Sequence, residues 1–326
     1  MYFCGICGAV IQGDDEYMIF PLDFLFSGRQ RYRYGECVNC GCVQFLDTYE
    51  ELDKLYNNNK YSSFRIDHHL TYGKQSSLER YLMRKRFEYV YFQKSKVIGW
   101  ALNKIKPGVK PTVMPFEEQW DFRKKILDVG CGAGTFICQL RKIGFEHVSG
   151  IDPFISFDTV YPNGISVEKK RITDLDEQYD IVYSHDVFEH VDDPAESLTA
   201  MRKCLKPGGV CIMVFPGVNA MYKRYKKDSY VIQAPQHYFL HSYRSLEIVA
   251  AKAGLKVASM KCEGNYLWYL KSELLVQETA FGETDSSDEL EANFAQKELT
   301  KLKRIAQEDT QTNTGDGYSV LLVPTR

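Results

Sequence analysis

Three glycines and two aspartates stand where this sequence could bind a ligand through its backbone. In "KILDVGCGAGTF" an apolar run ends at Asp128, and Gly130, Gly132 and Gly134 follow at every second position. Glycine costs conformational entropy on folding, so it is usually kept where a side chain would collide with something. Asp152 ends the next apolar run, "HVSGID", where a carboxylate can accept hydrogen bonds from both hydroxyls of a ribose. The missing side chains admit a bulky ligand against the main chain, although G-x-G-x-G differs from the dinucleotide fingerprint G-x-G-x-x-G.

Four cysteines have the spacing of a metal site. Cys4 and Cys7 in "CGICG" and Cys37 and Cys40 in "CVNCG" form two matching C-x-x-C-G knuckles. Four thiolates make a closed tetrahedral zinc site, the structural kind that has no open position for water. The alternatives are unpaired cysteines in a small β unit or a redox pair, but two knuckles of the same form favour zinc. Cys42 lies nearby and is interpreted as a packing residue, because the ligand set is complete without it.

The elements that must position these residues alternate between strand and helix after Pro115. This alternation predicts an α/β fold, a mostly parallel sheet with helices on both faces. The glycine turn then lies at the carboxyl edge of the first strand, where open α/β sheets bind ligands. The predicted strands are "KILDV", "HVSGID", "ISVEKK", "YDIVYSHD", "GGVCIMVFP", "KVASMKC" and "DGYSVLLVP". The predicted helices are "AGTFICQLRKIG", "PAESLTAMRKCL", "YRSLEIVAAKAG" and "SSDELEANFAQKELTKLKRIAQE".

Composition divides the chain into three parts. Residues 1–47 are predicted to be a zinc-ribbon unit, because their apolar content is too thin to fold without the metal. Residues 48–115 contain a polar link, in which His68 and His69 are interpreted as loop, and one helix, "SLERYLMRKRFEYVYFQKSKVIGWALNKI". The Lys and Arg surplus of this helix is interpreted as a solvated face. Residues 116–326 are predicted to be the α/β domain, with a substrate insertion at about 216–241.

The bulk composition excludes several classes of function. The chain has 326 residues, a formal net charge of −2 and 44% hydrophobic residues, so its overall field gives no attraction to nucleic acid. It contains neither a run of about eighteen apolar residues nor a secretory signal. We therefore expect a cytoplasmic protein that does not span a membrane. In that compartment its ten cysteines are expected to be metal ligands or core residues rather than disulfides.

With these residues in place, the chain resembles the class I S-adenosylmethionine-dependent methyltransferases. "LDVGCGAGTF" is similar to their motif I and "GIDP" to the acidic position of their motif II. "YDIVYSHDVFEHVDDP" is similar to the segment after their fourth strand, and "CLKPGG" to the turn before their fifth. The resemblance covers about residues 116–326 and implies a seven-stranded sheet whose last strand inserts antiparallel between the fifth and sixth. Together with the cysteine knuckles, this core resembles bacterial methyltransferases of sugar and glycan biosynthesis.

The resemblance implies a binding role for each motif residue. Asp128 would hold the amino group of S-adenosylmethionine, and Asp152 would bind its ribose hydroxyls. Asp174 would accept from the adenine amino group, with Asp176 as a competing position. The other residues implied to line or border this cofactor are Gly130, Gly132, Gly134, Ser184, His185 and Asp186. The alternative for the glycines and Asp128 is a helix-cap turn in a domain that binds no cofactor.

Three histidines are candidates for the proton acceptor that methyl transfer to an oxygen requires. Histidine suits this role because its ordinary pKa is near neutral. His185 and His190 follow the fourth strand. His237 lies in the insertion, in "PQHYFLHSYRSL", which resembles methyltransferases of sugars and related small molecules. We favour His237; the alternative role is a structural hydrogen bond, and for His190 a polar bracket of the cofactor loop.

The resemblance implies a small-molecule acceptor: a sugar, a nucleotide-sugar or a glycan intermediate. "YKRYKK" (Tyr222 to Lys227) in the insertion could contact a diphosphate, or be a merely exposed run. The aromatic residues that could stack on a sugar ring are Tyr222, Tyr225, Tyr230, Tyr238 and Phe239. One rival function is an RNA methyltransferase whose zinc ribbon and basic residues contact RNA, and another is a non-catalytic binding module. The near-neutral charge argues against the first and the intact glycines argue against the second. The oligomeric state stays open.

Overall fold

Two compact units make up the described part of the chain. The computed structural model describes residues 1–11, 13, 17–24, 30–47, 76–105, 114–279, 281 and 286–325. We call Asp53–His185 with Lys203–Ile212 the glycine unit, and Met1–Leu52 with Asp186–Arg202 and Met213–Arg326 the cysteine unit. Much of the polar link, including His68 and His69, lies outside the described residues. The domain boundaries drawn after residues 47 and 115 therefore stay a prediction.

The elements are numbered along the chain. The strands are β1 (Tyr2–Phe3), β2 (Val10–Ile11), β3 (Met18–Ile19), β4 (Tyr34–Glu36), β5 (Val43–Phe45), β6 (Ile126–Val129), β7 (Val148–Ile151), β8 (Thr159–Val160), β9 (Ser166–Glu168), β10 (Tyr179–His185), β11 (Leu205–Pro216), β12 (Phe239–Leu240), β13 (Leu255–Glu263) and β14 (Gly317–Pro324). The helices are α1 (Ser77–Phe92), α2 (Lys96–Ile105), α3 (Thr135–Ile143), α4 (Pro194–Lys203), α5 (Ala220–Tyr225), α6 (Tyr243–Lys252), α7 (Tyr266–Val276), α8 (Ser287–Glu291) and α9 (Gln296–Gln311).

The predicted α/β fold is confirmed by the strand order. In the glycine unit the order is β11, β10, β6, β7, β9, β8, and β6 pairs in parallel with both β10 and β7. The short edge strand β8 was not predicted, and it pairs antiparallel with β9. In the cysteine unit the order is β13, β14, β11, with β14 antiparallel to β13. The last strand, β14, lies between β11 and β13, which are the fifth and sixth predicted strands, as the resemblance implied. Strand β11 contributes residues to both units.

Strand β6 and the helix that follows it, α3, form for local reasons. All four residues of β6, including Asp128, are buried, as is usual for a strand inside a parallel sheet. Helix α3 begins after Gly134 and buries Ile137, Leu140 and Ile143, which recur at helical spacing on one face. It ends at Gly144, whose left-handed backbone lets its N–H donate to the carbonyls of the last turn. The chain thus turns from strand to helix across the glycines.

The single helix predicted from Ser77 to Ile105 is wrong, because α1 and α2 are separate. Gln93 and Ser95 have positive φ angles of 53° and 52°, which no helix continues through. The backbone N–H of Lys94 donates to the Glu88 carbonyl at 2.8 Å, so the first helix is closed off there. Gly99 of α2 lies against Tyr89 of α1 so closely that a Cβ would overlap the tyrosine side chain. The two helices therefore fold back on each other.

The C-terminal helices also differ from the prediction. The predicted helix over 286–308 is two helices, α8 and α9, separated by residues 292–295. Helix α7 was not predicted, because its apolar residues surround it on every side and leave no periodic polar face. Ser286 caps α8 and Asn265 caps α7, each through a side-chain oxygen that accepts a backbone N–H. None of the helices in the described ranges is long and apolar enough to cross a bilayer.

The cysteine unit has a large core in which the N-terminal strands and the insertion share side chains. Strand β12 of the insertion pairs antiparallel with β5, with Phe239 opposite Gln44. The N-terminal segment thus extends its own small sheet with a strand from the insertion. The buried residues of this core are Ile19, Tyr32, Tyr34, Val43, Val218, Met221, Tyr222, Tyr225, Val231, Ile232, Ala234, Leu240, Tyr269, Leu270, Leu274, Leu290, Leu299, Leu302, Ile305 and Ala306.

Candidate functional site

The glycine turn after β6 has backbone angles that only glycine adopts readily. Gly130, Gly132 and Gly134 have φ angles of 72°, 51° and 79°, all in the left-handed region. The N–H of Gly130 donates to the Ile151 carbonyl at 2.8 Å, so the turn is held by the end of β7. A Cβ at Gly134 would come within 2.7 Å of a methyl carbon of Val167. A side chain at this glycine would therefore clash partly with the protein itself, and not only with a bound ligand.

Two buried carboxyl groups flank this turn. Asp152 is 5% exposed, and its two oxygens accept from the N–H of Gly132 at 3.0 Å and of Phe154 at 2.8 Å. Burial raises the pKa of Asp152 in spite of these hydrogen bonds. Burial, and then the charge of Asp152, raise the pKa of Asp128 well above its ordinary value. A ligand with hydroxyl or ammonium donors would offset the cost of burying two acids side by side.

Three further residues predicted to contact the cofactor, Asp174, Asp176 and His185, also belong to the glycine unit. Asp174 ends a short 3-10 helix, Ile172–Asp174, and is exposed; it accepts from the Thr173 hydroxyl at 3.2 Å. Asp176 is exposed as well. His185 ends β10 and is half-buried, with its ring 6.3 Å from the ring of Tyr183. The carboxyl ends of β6, β7 and β10 therefore carry Asp128, Asp152 and His185.

A second group of chemical side chains lies in the cysteine unit and joins two of the predicted histidines. The rings of His190 and His237 have centroids 4.8 Å apart in an edge-to-face arrangement. Glu189 is 1% exposed, and its Oε1 lies 4.0 Å from Nε2 of His190. Candidate ligand atoms of these three residues all lie within 4.8 Å of one another. We call Glu189, His190 and His237 the carboxylate-histidine cluster; sequence reasoning missed Glu189, although it stands beside His190 in "FEHV".

Backbone hydrogen bonds hold this cluster together. Nδ1 of His237 donates to the Val231 carbonyl at 2.7 Å, and Nδ1 of His190 to the Gln236 carbonyl at 3.1 Å. The N–H of Tyr238 donates to the Glu189 carbonyl at 2.7 Å. The insertion is thus attached to the 3-10 helix Phe188–His190 on both sides of His237.

Burial sets the charge of the cluster. It lowers the pKa of His237 well below the ordinary value, with the neighbouring His190 adding to the effect. It also lowers the pKa of His190, and it raises the pKa of Glu189 well above its ordinary value. Both imidazoles are therefore neutral near pH 7, and each donates through Nδ1, so each Nε2 carries a lone pair. Such a nitrogen accepts a proton or binds a metal ion.

The basic and aromatic residues of the insertion are largely engaged within the protein. Lys226 pairs with Glu36 at 2.8 Å, and the hydroxyl of Tyr222 donates to the same carboxylate at 3.0 Å. Lys227 pairs with Asp228 at 2.7 Å. Tyr222 and Tyr225 are buried in the core, while Tyr238 and Phe239 are half-buried. All four cationic residues of the patch offered for a diphosphate or for RNA are exposed, and two of them, Lys226 and Lys227, are paired with carboxylates.

The four predicted metal ligands come together in the cysteine unit. The sulfurs of Cys4 and Cys40 are 3.6 Å apart and those of Cys7 and Cys37 are 3.5 Å apart. A tetrahedron with metal–sulfur bonds of about 2.3 Å has edges of about 3.8 Å, so the spacing fits a zinc ion. Within each knuckle the glycine N–H donates back to the carbonyl of the first cysteine, at 2.8 Å for Gly8. The two knuckles thus present their thiols in the same way.

Asp316, which the sequence analysis placed at the start of the last predicted strand, connects that strand to the insertion. It is 2% exposed, and its carboxyl oxygens accept from the N–H groups of Asn219 and Met221 at 2.7 Å and of Tyr222 at 3.1 Å. These are the free N–H groups at the start of α5. Burial raises the pKa of Asp316 to about 6. Asp316 therefore positions the helix that begins the insertion.

The strand order, the glycine turn after the first strand and the acid after the second together define a class I methyltransferase fold. Residues 104–260 match the family model described as a methyltransferase domain, the kind of domain that the resemblance implied. The chain is 38% identical over 137 residues to the ubiquinone biosynthesis O-methyltransferase of Hydrogenovibrio crunogenus, covering 38% of this chain and 54% of that protein. It is 26% identical over 217 residues to phosphoethanolamine N-methyltransferase 2 of Caenorhabditis elegans, covering 62% of this chain and 48% of that protein.

Solved structures of similar fold include phosphoethanolamine N-methyltransferase 2 of Haemonchus contortus, which was determined with phosphomonomethylethanolamine and S-adenosylhomocysteine. The match has a TM-score of 0.37 and 16% identity, and covers 75% of this chain and 60% of that one. The chain spans about half the length of the curated relatives it matches. The names of these three relatives refer to both oxygen and nitrogen acceptors, and none of the three names refers to a sugar.

Proposed function

We propose that this protein transfers the methyl group of S-adenosylmethionine to a hydroxyl group of a small molecule. The observation that carries the proposal is the left-handed glycine turn at the end of β6, with the buried carboxyls of Asp128 and Asp152 beside it. On this proposal the turn admits the cofactor against bare backbone, and Asp152 binds the ribose hydroxyls with its remaining lone pairs. Asp128 meets the amino group, Asp174 the adenine, and His185 borders the cofactor at the end of β10.

The acceptor side is proposed to include His237 and His190. Methyl transfer to oxygen requires an aligned hydroxyl at about 3 Å, the exclusion of water, and removal of the hydroxyl proton. His237 is 2% exposed, neutral near pH 7 and held at Nδ1, so its Nε2 lone pair is oriented to accept that proton; burial lowers its pKa and makes it a weaker base than an ordinary histidine. Glu189 and His190 follow His185, the last residue of β10, by four and five positions along the chain.

A sugar or nucleotide-sugar is proposed as the acceptor class. Support comes from the resemblance of "PQHYFLHSYRSL" to sugar methyltransferases. The half-buried rings of Tyr238 and Phe239 offer faces that a sugar ring can stack against. A panel of nucleotide-sugars, phenols and phosphoethanolamine with labelled methyl donor tests this class directly. Label on the phenols or the amine alone would reject the sugar.

A structural zinc ion is proposed for Cys4, Cys7, Cys37 and Cys40. The support is the sulfur spacing described above and the matching knuckle backbones. Zinc would supply the folding energy that the thin apolar content of this segment lacks. Such thiolates must stay reduced, which agrees with the expected cytoplasmic location.

Binding of S-adenosylhomocysteine, measured by calorimetry, tests the cofactor site. Wild-type protein is expected to bind it, and Asp152→Ala to bind at least about tenfold more weakly, because a charged hydrogen-bond acceptor is worth about 1.5–3 kcal/mol. Asp158→Ala is the matched control, since Asp158 is exposed in the same unit. His237→Ala should keep this affinity and lose turnover. Wild-type protein that releases no heat on titration would contradict the proposal.

A further inference from the structure

The carboxylate-histidine cluster contains a polar group that the protein itself does not satisfy. Among the residues that the structure describes, Oε2 of Glu189 has no hydrogen-bond partner, although the residue is 1% exposed. A buried carboxyl oxygen without a partner destabilises a protein, and the anionic form of such a group is more costly still. The expense is offset when a cation binds there. The atoms nearest to Glu189 in this cluster are the imidazole nitrogens of two histidines.

Both histidines are held as metal-binding histidines usually are. Each donates Nδ1–H to a backbone carbonyl, His237 to Val231 and His190 to Gln236, which places the lone pair on Nε2. In known metal sites the histidine ligands nearly always donate their other ring N–H to a carbonyl or carboxylate, which fixes the ring and raises its basicity. These two hydrogen bonds to backbone carbonyls of the insertion restrain the orientation of both rings.

The spacing also suits an ion. Histidine and carboxylate ligands lie about 2.0–2.2 Å from a divalent metal, so two ligand atoms of one ion are about 3.4 Å apart at a tetrahedral angle and at most about 4.4 Å apart on opposite sides of the ion. Nε2 of His190 and Oε1 of Glu189, at 4.0 Å, already meet this limit. The widest spacing in the cluster is within 4.8 Å, and small rotations of the side chains bring it into range.

We propose that Glu189, His190 and His237 bind a divalent transition-metal ion, separate from the zinc ion proposed for the cysteines. Two imidazoles and one carboxylate are ligands for Mn²⁺, Fe²⁺ or Zn²⁺, whereas four thiolates select zinc. Three protein ligands leave coordination positions open, as in catalytic rather than structural sites.

The inference rests on the proposed methyl transfer for its consequence. The acceptor's hydroxyl oxygen would occupy an open position on the ion, which lowers the pKa of that hydroxyl, and its O–H bond would break with the proton leaving to water. The oxygen would then bond to the methyl carbon as the carbon–sulfur bond breaks, and S-adenosylhomocysteine would leave with the electron pair. His237 would then act as a ligand to the ion instead of taking the proton.

Mn²⁺ is the probe of choice, because it favours oxygen and nitrogen ligands and avoids the thiolate site. Electron paramagnetic resonance of free Mn²⁺ should show about one ion bound per chain in the wild type. Glu189→Gln keeps the shape of the side chain and should weaken binding by more than the 10- to 100-fold that an outer-shell partner is worth, about 100-fold or more. His237→Asn should do the same. His147→Asn, at an exposed histidine, should bind as the wild type does.

Thermal melting separates a metal ligand from a structural carboxylate. Before Mn²⁺ is added, and with the zinc of the cysteine site left in place, Glu189→Gln should melt no lower than the wild type, because it removes a buried oxygen that has no partner. Added Mn²⁺ should raise the melting temperature of the wild type only. A wild type that binds no Mn²⁺, or a Glu189→Gln variant that binds it equally well, overturns the inference. Calorimetry with S-adenosylhomocysteine on the same samples shows whether the methyltransferase proposal survives; if it does, His237 returns to the proton-accepting role.

Discussion

Replacing Gly134 by alanine tests whether both the packing of the protein and the binding of the cofactor require glycine in this turn. Gly134 has a φ of 79° and directly precedes α3. A Cβ there would lie 2.7 Å from Cγ2 of Val167 and 3.4 Å from side-chain atoms of Ile137. Val167 is itself buried in a small core with Ile137, so it has no solvent to move into.

The size of the effect follows from two separate terms. An L-residue in the left-handed region costs about 1–2 kcal/mol. Forcing a methyl group into a packed core costs about 1–3 kcal/mol more. Gly134→Ala should therefore lower the free energy of unfolding by about 2–5 kcal/mol. Gly164→Ala is the matched control, because Gly164 has a similar φ of 85° but its Cβ would meet nothing closer than 3.9 Å. That variant should lose only the backbone term.

Urea unfolding followed by tryptophan fluorescence measures both free energies, and calorimetry measures the affinity for S-adenosylhomocysteine. Gly134→Ala should also bind that ligand at least about tenfold more weakly, which corresponds to about 1.4 kcal/mol, because the turn must shift to relieve the contact. Gly164→Ala should bind normally. Equal losses of stability in the two variants would refute the steric argument, and normal binding by Gly134→Ala would show that the cofactor does not use this turn.

The remaining predictions concern the cysteine unit. Burial raises the pKa of Asp316 to about 6 in the folded protein, so as pH rises from about 4 the unfolded chain loses this proton before the folded one does. The free energy of unfolding should therefore fall between about pH 4 and 6 and stay constant above pH 6. Asp316→Asn should lack that part of the pH dependence and should be less stable at every pH tested by urea unfolding, because one oxygen that accepts backbone N–H groups becomes a donor. Metal analysis of the pure protein should find about one zinc ion per chain, and Cys37→Ser should lower both the zinc content and the melting temperature. A wild-type protein that keeps its melting temperature after its zinc is removed would contradict the structural zinc site.

Much of the fold follows from patterns within short segments. The apolar run of β6, the helical spacing of α3 and the strand of Gly317–Pro324 were all predicted at nearly their observed bounds. The break between α1 and α2 was not, because both helices have apolar residues at compatible spacing. The break depends on the left-handed backbone of Gln93 and Ser95, and neither residue type predicts that conformation. Helix α7 was not predicted for the opposite reason: apolar residues lie on all of its sides, so its sequence shows no helical period of apolar and polar residues.

The sequence by itself determined which residues are candidates for binding the cofactor and a zinc ion. Glycines after a strand and paired cysteines can be recognised from their spacing within short segments. Only the tertiary structure decided that Glu189, His190 and His237 meet, that Glu189 is buried without a hydrogen-bond partner for one oxygen, and that Tyr222 belongs to the core. The physical reason is that burial and the charge of a site depend on segments far apart in the chain. Those contacts form when the insertion packs on the N-terminal strands, and no local pattern records them.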